Sequence, residues 1–482
     1  MKPATLPPEG AISIEEVATH PRPGTMAPGA VRFSPDGAHL TYLFSPAGSL
    51  NRDLYTQPVE AGARKLLFTP PGGGATEDNL SEEEKLQRER LRMRSLGVTS
   101  YAWAKKADRF LVPVRGDLWV QEGLHGRLQR IVESDGPPAL NARFSPDGAF
   151  VAYVLDDEVY VAPALGGESM QITRGARGTG KTHGLAEYIA QEEMGRYQGY
   201  WWSHDAKRIA FTQVDERHIP VYRIEHQGKD APHHEDHGYP FAGQANAKVR
   251  LGVVSREGGK PQWLDLGATG IAGDRPADDL YLARVDWMPD GSLMAQVENR
   301  EQTTLHLVRY DAEGNATKVL EETSEVWINL HDGFRAFDEI PSDAPHAALA
   351  GGFLWQSERT GFSHLYVYDK DGKEVRALTA GEWMLDSVVG VDQAKGRSTS
   401  PGPKTAQPSG TCTRCHCPAG TSPNSPPRWA CTRSSSARPM TGSSTSGTVS
   451  TPPRASRSAP RPTAQWSPRS RSRPTPGWKN SA

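Results

Sequence analysis

The sequence predicts an all-β protein built from β-propeller blades, and three observations support this prediction. A turn motif of the type Ser-Pro-Asp-Gly recurs along residues 31–396. Each copy precedes a short run in which apolar and other residues alternate, as in a β-strand. The copies follow one another at intervals of a few tens of residues, which is typical of blades that repeat along a chain.

The copies share an aromatic residue just before the turn. The two clearest have the sequence RFSPDG, at residues 32–37 and 143–148, and the turns WSHD at 202–205 and WMPDG at 287–291 are close variants. Looser copies of the same unit lie at 101–112 and 353–368. Proline presets the turn and glycine supplies the positive φ of a tight hairpin. We therefore expect these turns to be structural and not catalytic.

Helical signals interrupt the strand pattern at two places. Ser81 and Glu84 form a capping box, residues 83–94 are rich in helix formers, and Gly97 ends the run. Because the run is highly charged, we predict an exposed helix inserted between blades. A second short helix is expected over residues 185–194, just before Trp201.

The composition of the chain changes after Gly396. From Arg397 to Ala482 there is no Leu, Ile, Phe, Tyr, Asp or Glu, and this segment holds 13 basic residues, whereas 42 basic and 57 acidic side chains precede it. Such a segment cannot bury a core. The sequence thus predicts an N-terminal extension (1–30), a propeller (31–396) and a disordered C-terminal tail (397–482).

The tail is also consistent with a shifted reading frame. If codons for residues 397–407 are read from the third base of the first codon, the permitted translations include VYFTGTKDSP, a strand and a turn. The same offset across 441–468 permits two further alternating strands. We therefore expect that the frame shifted just before Arg397, that the tail is out of frame, and that the propeller is incomplete.

Three other motifs suggest chemistry that the rest of the sequence does not support. Residues 175–182, GARGTGKT, fit a phosphate-binding loop, but that loop needs a helix at its lysine and a parallel sheet around it. Residues 233–237, HHEDH, fit a solvated polar loop better than a metal site. All four cysteines lie in the tail, and they are Cys412, Cys415, Cys417 and Cys431. A zinc site is not expected there, because the tail has no core that could pack around an ion. We expect neither a metal nor a cofactor.

No part of the chain has the pattern of a signal peptide, and no apolar run reaches membrane-spanning length. We therefore expect a cytoplasmic protein that binds neither a membrane nor nucleic acid.

Two consecutive carboxylates, Glu192 and Glu193, follow an apolar stretch at 188–190 and precede Trp201 and Trp202. These neighbours indicate that at least one carboxylate is held near packed structure. A pair of fixed anions can receive an ammonium group through charge-assisted hydrogen bonds. By spacing alone, the pair also fits ordinary surface charges.

The segments around these glutamates closely resemble bacterial dipeptidyl peptidase IV-like enzymes of the prolyl oligopeptidase family. They are GLAEYIAQEEM (184–194), YWWS (200–203) and IAFTQVD (209–215), with supporting matches at 239–246 and 353–366. The resemblance runs from about residue 31 to residue 396. It implies an eight-bladed propeller with a C-terminal α/β-hydrolase domain, and a serine exopeptidase that releases Xaa-Pro or Xaa-Ala dipeptides from the N-terminus of peptides.

The resemblance also implies site residues and partners. Glu192 and Glu193 occupy the double-glutamate motif that binds the free amino group of the substrate, so peptides with a free N-terminus are the expected partners. An arginine from an earlier blade assists in the family, and Arg127 is the candidate here. Family members are often homodimers, but much of that contact would come from the hydrolase domain, which makes a dimer doubtful.

The chain departs from the family in having no G-x-S-x-G nucleophile elbow. Without a nucleophile, a base and oxyanion donors, no acyl transfer is expected, so no catalytic residue is assigned and the chain is expected to be truncated and inactive. The alternative is a non-catalytic propeller that acts as a peptide-binding or scaffold module and docks through its basic tail. An incomplete propeller would leave a strand edge unpaired, which predicts poor solubility.

Overall fold

Short antiparallel strands form a series of small sheets, each built from consecutive segments of the chain. A computed structural model describes residues 13–19, 27–74, 76, 80, 82–134, 136–226, 233–276, 278–338, 340–401 and 412–416. All of these belong to the first of two units, Met1–Arg433, and the second unit, Ser434–Ala482, lies outside the described residues.

The first three sheets each place four antiparallel strands side by side in chain order. The first sheet consists of β1 (Gly29–Phe33), β2 (His39–Phe44), β3 (Asn51–Pro58) and β4 (Lys65–Phe68), with β5 (Leu96–Gly97) parallel to β3. The second consists of β6 (Ala102–Trp103), β7 (Arg109–Val114), β8 (Asp117–Glu122) and β9 (Leu128–Val132). The third consists of β10 (Leu140–Phe144), β11 (Phe150–Leu155), β12 (Glu158–Pro163) and β13 (Met170–Gln171).

The later sheets continue the series, with one hairpin inserted in the fourth. The fourth contains β14 (Lys181–His183), β15 (Tyr200–Trp202), β16 (Arg208–Asp215), β19 (Lys248–Ser255) and β20 (Gln262–Leu264), and the inserted hairpin is β17 (Val221–His226) and β18 (His233–Gly238). The fifth contains β21 (Tyr281–Trp287), β22 (Leu293–Glu298), β23 (Thr304–Tyr310) and β24 (Ala316–Thr323). The sixth contains β25 (Arg335–Ala336), β26 (Phe353–Ser357), β27 (His364–Tyr368) and β28 (Glu374–Ala377).

Every copy of the blade unit identified in the sequence forms one of these six sheets, so the all-β, propeller-like prediction is confirmed. The turn chemistry is as expected. In the first turn the Ser34 hydroxyl donates to the Asp36 carboxylate at 2.5 Å, and Gly37 has a φ of +70°. In the fourth sheet Ala206 takes the position of the glycine and adopts a φ of +57°, an uncommon conformation for a residue with a Cβ.

Neighbouring sheets pack through apolar side chains from both faces of each strand. On β11, Val151 and Tyr153 pack against the second sheet, whereas Ala152 and Val154 pack against the fourth. Successive strand residues point to opposite faces, so a run of apolar residues supplies both contacts. These sheets therefore have buried cores on both faces, as blades stacked in series do.

The described helices are short, and none is long and apolar enough to cross a membrane. They are α1 (Ile14–Ala18), α2 (Glu82–Arg90) and α3 (Tyr188–Glu192), with two turns of 3-10 helix at Pro71–Gly73 and Ala347–Leu349. Helix α2 lies between the first and second sheets, as the sequence predicted, and ends at Arg90, four residues earlier than the run of helix formers. The Ser81 end of the predicted capping box lies outside the described residues.

Two segments of the tail are strands, which corrects the expectation that regular structure ends at residue 396. A seventh sheet consists of β29 (Gly390–Asp392), β30 (Arg397–Pro401) and β31 (Cys412–His416). Backbone pairing needs no particular side chain, so these residues can extend a sheet despite their composition. The remainder of 397–482 lies outside the described residues, and it includes Cys417 and Cys431. The N-terminal extension likewise contains α1, and the first strand begins at Gly29, two residues before the predicted boundary.

Candidate peptide-binding site

The two predicted glutamates sit at the end of helix α3. Glu192 is the last residue of the helix and Glu193 is its C-cap, and both are exposed. Successive helical residues point about 100° apart, so the two carboxylates can approach one ligand group from two sides. The residues that flank the pair, Ala190, Gln191 and Met194, are buried. The glutamates thus stand on a packed base, as the sequence indicated, with their carboxylates exposed.

The carboxylates retain free acceptor capacity. Glu192 Oε1 lies 4.0 Å from Arg90 Nε, at the limit of an ion pair. Among the described residues, none forms a hydrogen bond or ion pair with the Glu193 carboxylate. An ammonium group carries three N–H donors, and ionised carboxylates are its strongest partners. The arrangement can therefore bind a primary amine.

Arg90 comes from the inserted helix α2 and connects it to α3. Its guanidinium lies 5.1 Å from the centre of the Tyr188 ring, and its backbone carbonyl accepts a hydrogen bond from the Tyr197 hydroxyl at 3.4 Å. Gln87 on the same helix donates to Asn141 at 2.8 Å. Helix α2 is therefore packed beside the glutamates, although it is distant in sequence.

A buried ion pair lies beneath the glutamates. Glu187, at the N-cap of α3, is 2.8 Å from Arg196, and both side chains are at most 5% exposed. Glu216 lies close to both Glu187 and Arg90, and burial together with the Glu187 charge raises the pKa of the Glu216 carboxyl. Two arginines, Arg90 and Arg196, therefore lie among the acidic groups at this site.

Arg127, the arginine predicted from the resemblance, lies next to the second sheet. It is exposed in the turn that precedes β9, and β9 is an edge strand of the second sheet. No hydrogen bond or ion pair within the described part of the chain links it to Glu192 or Glu193. Arg90 is the arginine that the structure brings to Glu192. The sequence predicted the helix that contains Arg90 but could not select Arg90 itself, because the predicted run contains several arginines. Only the packing of α2 on α3 distinguishes them.

The glycine-rich motif at 175–182 does not form a phosphate site. Its backbone amides at Ala176 and Arg177 donate to the buried Glu158 carboxylate, at 2.7 and 3.3 Å. Lys181 begins strand β14 instead of a helix and pairs with Asp215 at 3.8 Å. The loop is already wrapped around a protein anion, and its lysine lies in a strand where a phosphate-binding loop needs the start of a helix.

The polar run at 233–237 forms strand β18 and not a loop, since it pairs with β17 along its whole length. Asp236 forms a two-pronged ion pair with Arg223, at 2.7 Å for each contact. Within the residues that the structure describes, no group of three His, Cys, Asp or Glu side chains could hold a metal ion.

Two of the cavities formed by the described residues are large enough to matter here, and the smaller of them is lined by the segment that follows the glutamates. The larger, about 830 Å³, lies around Trp327, Trp355 and Trp383 in the sixth sheet. The smaller, about 330 Å³, has residues 195–198 in its wall, directly after Glu193, together with Arg143, Arg284 and Arg335. The smaller cavity therefore adjoins the segment after the glutamates, although neither carboxylate lines it.

Comparison with known proteins defines the family. Residues 99–399 match the family model described as the dipeptidyl peptidase IV N-terminal region. This chain belongs to that family. The matched residues include the second to sixth sheets and both glutamates, whereas the first sheet and most of the tail lie outside the match.

The relatives of this chain have low sequence identity to it and are longer than it is. Mouse dipeptidyl peptidase 8 is 26% identical over 401 residues, which cover 65% of this chain and 43% of the relative. Rat inactive dipeptidyl peptidase 10 is 25% identical over 267 residues, which cover 52% of this chain and 32% of the relative. The chain thus spans less than half the length of these relatives.

The fold is shared with a solved structure of the same group. The crystal structure of dipeptidyl peptidase 4 from Porphyromonas gingivalis superposes with a TM-score of 0.61 at 19% identity, and the match covers 84% of this chain and 54% of that one. At this identity the likeness concerns the fold alone.

Proposed function

We propose that this chain binds the free N-terminal amine of a peptide through Glu192 and Glu193. The observation that carries the proposal is the pair of exposed carboxylates on a buried base, in a chain of the dipeptidyl peptidase IV N-terminal family. Arg90 lies beside Glu192, and its guanidinium can donate a hydrogen bond to a peptide carbonyl. Arg127 remains a prediction without a contact at this site.

Within a complete serine-type dipeptidyl peptidase, such a receptor would measure two residues from the substrate N-terminus and place a penultimate proline or alanine at the scissile bond. The 482 residues contain no G-x-S-x-G motif. We therefore propose that these residues, by themselves, bind peptides without hydrolysing them, in line with a reading frame altered before Arg397.

Binding of matched peptides tests the amine receptor. The full chain is titrated calorimetrically with a peptide that begins Ala-Pro and with its N-acetylated form, which removes the charge. We expect the free amine to bind at least about tenfold more tightly, because a charge-assisted hydrogen bond is worth roughly 1.5–3 kcal/mol. Glu193→Gln and Glu192→Gln should remove this preference. Glu168→Gln should leave it unchanged, because Glu168 is an exposed residue of the loop between β12 and β13. Equal binding of the two peptides by the unsubstituted chain would refute the proposal.

A non-catalytic peptide-binding or scaffold module is the second candidate. It is favoured by the rat relative, whose name describes it as inactive, and by the binding capacity of the glutamates without any nucleophile motif. Release of p-nitroaniline from Gly-Pro-p-nitroanilide tests the lack of hydrolysis that both candidates share. Turnover that a serine-reactive inhibitor abolishes would establish an enzyme and reject both the inactive assignment and the scaffold role.

A further inference from the structure

Helix α3 is too short to hold its own position. It has five residues, and its N-cap, Glu187, makes no side-chain capping bond. A helix of this length is unstable in isolation, because few hydrogen bonds offset the cost of nucleation. Contacts from outside the helix must therefore fix the direction in which Glu192 and Glu193 point.

We propose that Arg196 is the positioning residue for the amine receptor, an inference that rests on the proposed function. Its guanidinium bonds both ends of the glutamate segment to the neighbouring sheet. Nη2 donates to Glu187 at 2.8 Å, before the helix, and Nη1 donates to the Gln198 carbonyl at 2.8 Å, after the glutamates. Nε donates to the Leu282 carbonyl at 3.0 Å, on strand β21 of the fifth sheet.

The backbone of Arg196 also forms a hydrogen bond within the glutamate segment. Its amide donates to the Ala190 carbonyl at 2.8 Å, so the turn that contains Glu193 is linked to α3 through main chain and side chain alike. The side chains of Arg196 and Glu187 are both buried, since their exposed fractions are at most 5%. Their contact is therefore shielded from solvent, and a buried charge-assisted bond of this kind has one favoured geometry.

The geometry requires a guanidinium. Three acceptors surround Arg196 in different directions, and a planar fork with five donors can reach all of them. A lysine carries a compact ammonium that keeps the charge without the fork. The orientation of the glutamates thus depends on the contact between the fourth and fifth sheets.

Removing only one partner would leave a buried charge unpaired and could unfold the chain. The double variant Arg196→Met with Glu187→Gln removes both charges at similar volume, and Arg196→Lys is the milder change. Arg208→Met is the matched control, because Arg208 also joins these two sheets, through the Gly291 carbonyl at 2.9 Å, without contacting α3. Each variant is titrated with the free and N-acetylated Ala-Pro peptides, and its melting temperature is measured.

We expect the double variant to lose about tenfold in affinity for the free peptide and Arg196→Lys to lose about threefold, with binding of the acetylated peptide unchanged. Arg208→Met should bind within about twofold of the unsubstituted chain even if its melting temperature falls. In a Glu193→Gln background the Arg196 change should cause no further loss, since it acts through that glutamate.

Two outcomes would overturn the inference. Unchanged discrimination in the folded Arg196 variants would show that α3 is oriented by other contacts, and an equal loss in Arg208→Met would show a general effect of the sheet contact. Absence of discrimination in the unsubstituted chain is a different result, because it refutes the proposed function itself.

Discussion

The buried carboxylate of Glu158 is held by several hydrogen bonds. Its side chain is fully buried on β12 and accepts hydrogen bonds from Thr173 at 2.6 Å and Ala176 at 2.7 Å, while His183 Nδ1 lies at 2.8 Å. Burial alone would raise the pKa of Glu158, but the bonds from His183, Thr173 and Ala176 outweigh it and lower the pKa to about 2. The residue therefore stays ionised and holds the glycine-rich loop.

Glu298 shows the opposite behaviour on β22. It is also fully buried, but neither carboxylate oxygen has a hydrogen-bond partner among the described residues. Burial raises the pKa of Glu298 to about 7 against the opposing charge of Arg284. The two residues have the same side chain and the same exposure. Only the donors that the fold brings near Glu158 make the difference.

The Glu158 network predicts a pH-dependent contribution to stability. Glu158→Gln should lower the free energy of unfolding by about 2–4 kcal/mol near neutral pH, because charge-assisted bonds to a buried group are lost. Since the folded-state pKa lies below the ordinary value of 4.5, this contribution is complete above about pH 4.5 and disappears as the pH falls towards about 2.

Urea unfolding at several pH values checks this prediction. The difference between the unsubstituted chain and Glu158→Gln should shrink below about pH 4.5, while Glu168→Gln, which removes an exposed carboxylate, should show almost none at any pH. If the difference in unfolding free energy between the two chains stays constant down to about pH 2, Glu158 is not ionised in the folded state.

At the scale of elements, neighbouring segments determine what each motif does. The GARGTGKT motif leads into β14, which pairs with β16 in the fourth sheet, and its amides face Glu158 instead of solvent. The HHEDH run pairs as a strand with β17. Helix α2 packs beside α3 and brings Arg90 to Glu192.

The structure of the glycine-rich motif predicts that the chain does not bind ATP. Adding ATP with Mg²⁺ should not raise the melting temperature of the unsubstituted chain, because the loop amides already donate to Glu158 and Lys181 begins a strand. Lys181→Ala should behave identically in ATP titrations. A stabilisation by ATP that this substitution abolishes would restore the phosphate-loop interpretation.

At the scale of the described molecule, stability comes from apolar layers between consecutive sheets. Trp355 is fully buried between the fifth and sixth sheets, packs with Phe353 and Tyr366, and donates to Glu322 at 2.8 Å. Equivalent layers join each sheet to the next, from Leu54 in the first pair to Val367 in the last. Each sheet therefore depends mainly on its two neighbours.

Disrupting one such apolar layer should lower the stability of the two sheets that it joins more than that of the other sheets. We expect Trp355→Ala to lower the free energy of unfolding by about 3–5 kcal/mol, with the largest loss of amide protection in hydrogen exchange falling in the fifth and sixth sheets. Trp327→Ala is the control, since Trp327 is 61% exposed and its removal should change stability by less than about 0.5 kcal/mol. Uniform loss of protection across all sheets would show that the chain unfolds as a single unit.

The sequence by itself determined the repeating unit, its turns and the family, because alternation, Ser-Pro-Asp-Gly turns and a glutamate motif are local patterns that survive without tertiary context. It also located the glutamates, since both belong to one short contiguous motif. It could not determine that Arg90 and not Arg127 lies beside them, that Arg196 ties them to β21, or that HHEDH pairs as a strand. Those facts depend on contacts between residues far apart in the chain, and local spacing carries no information about which distant segments pack together.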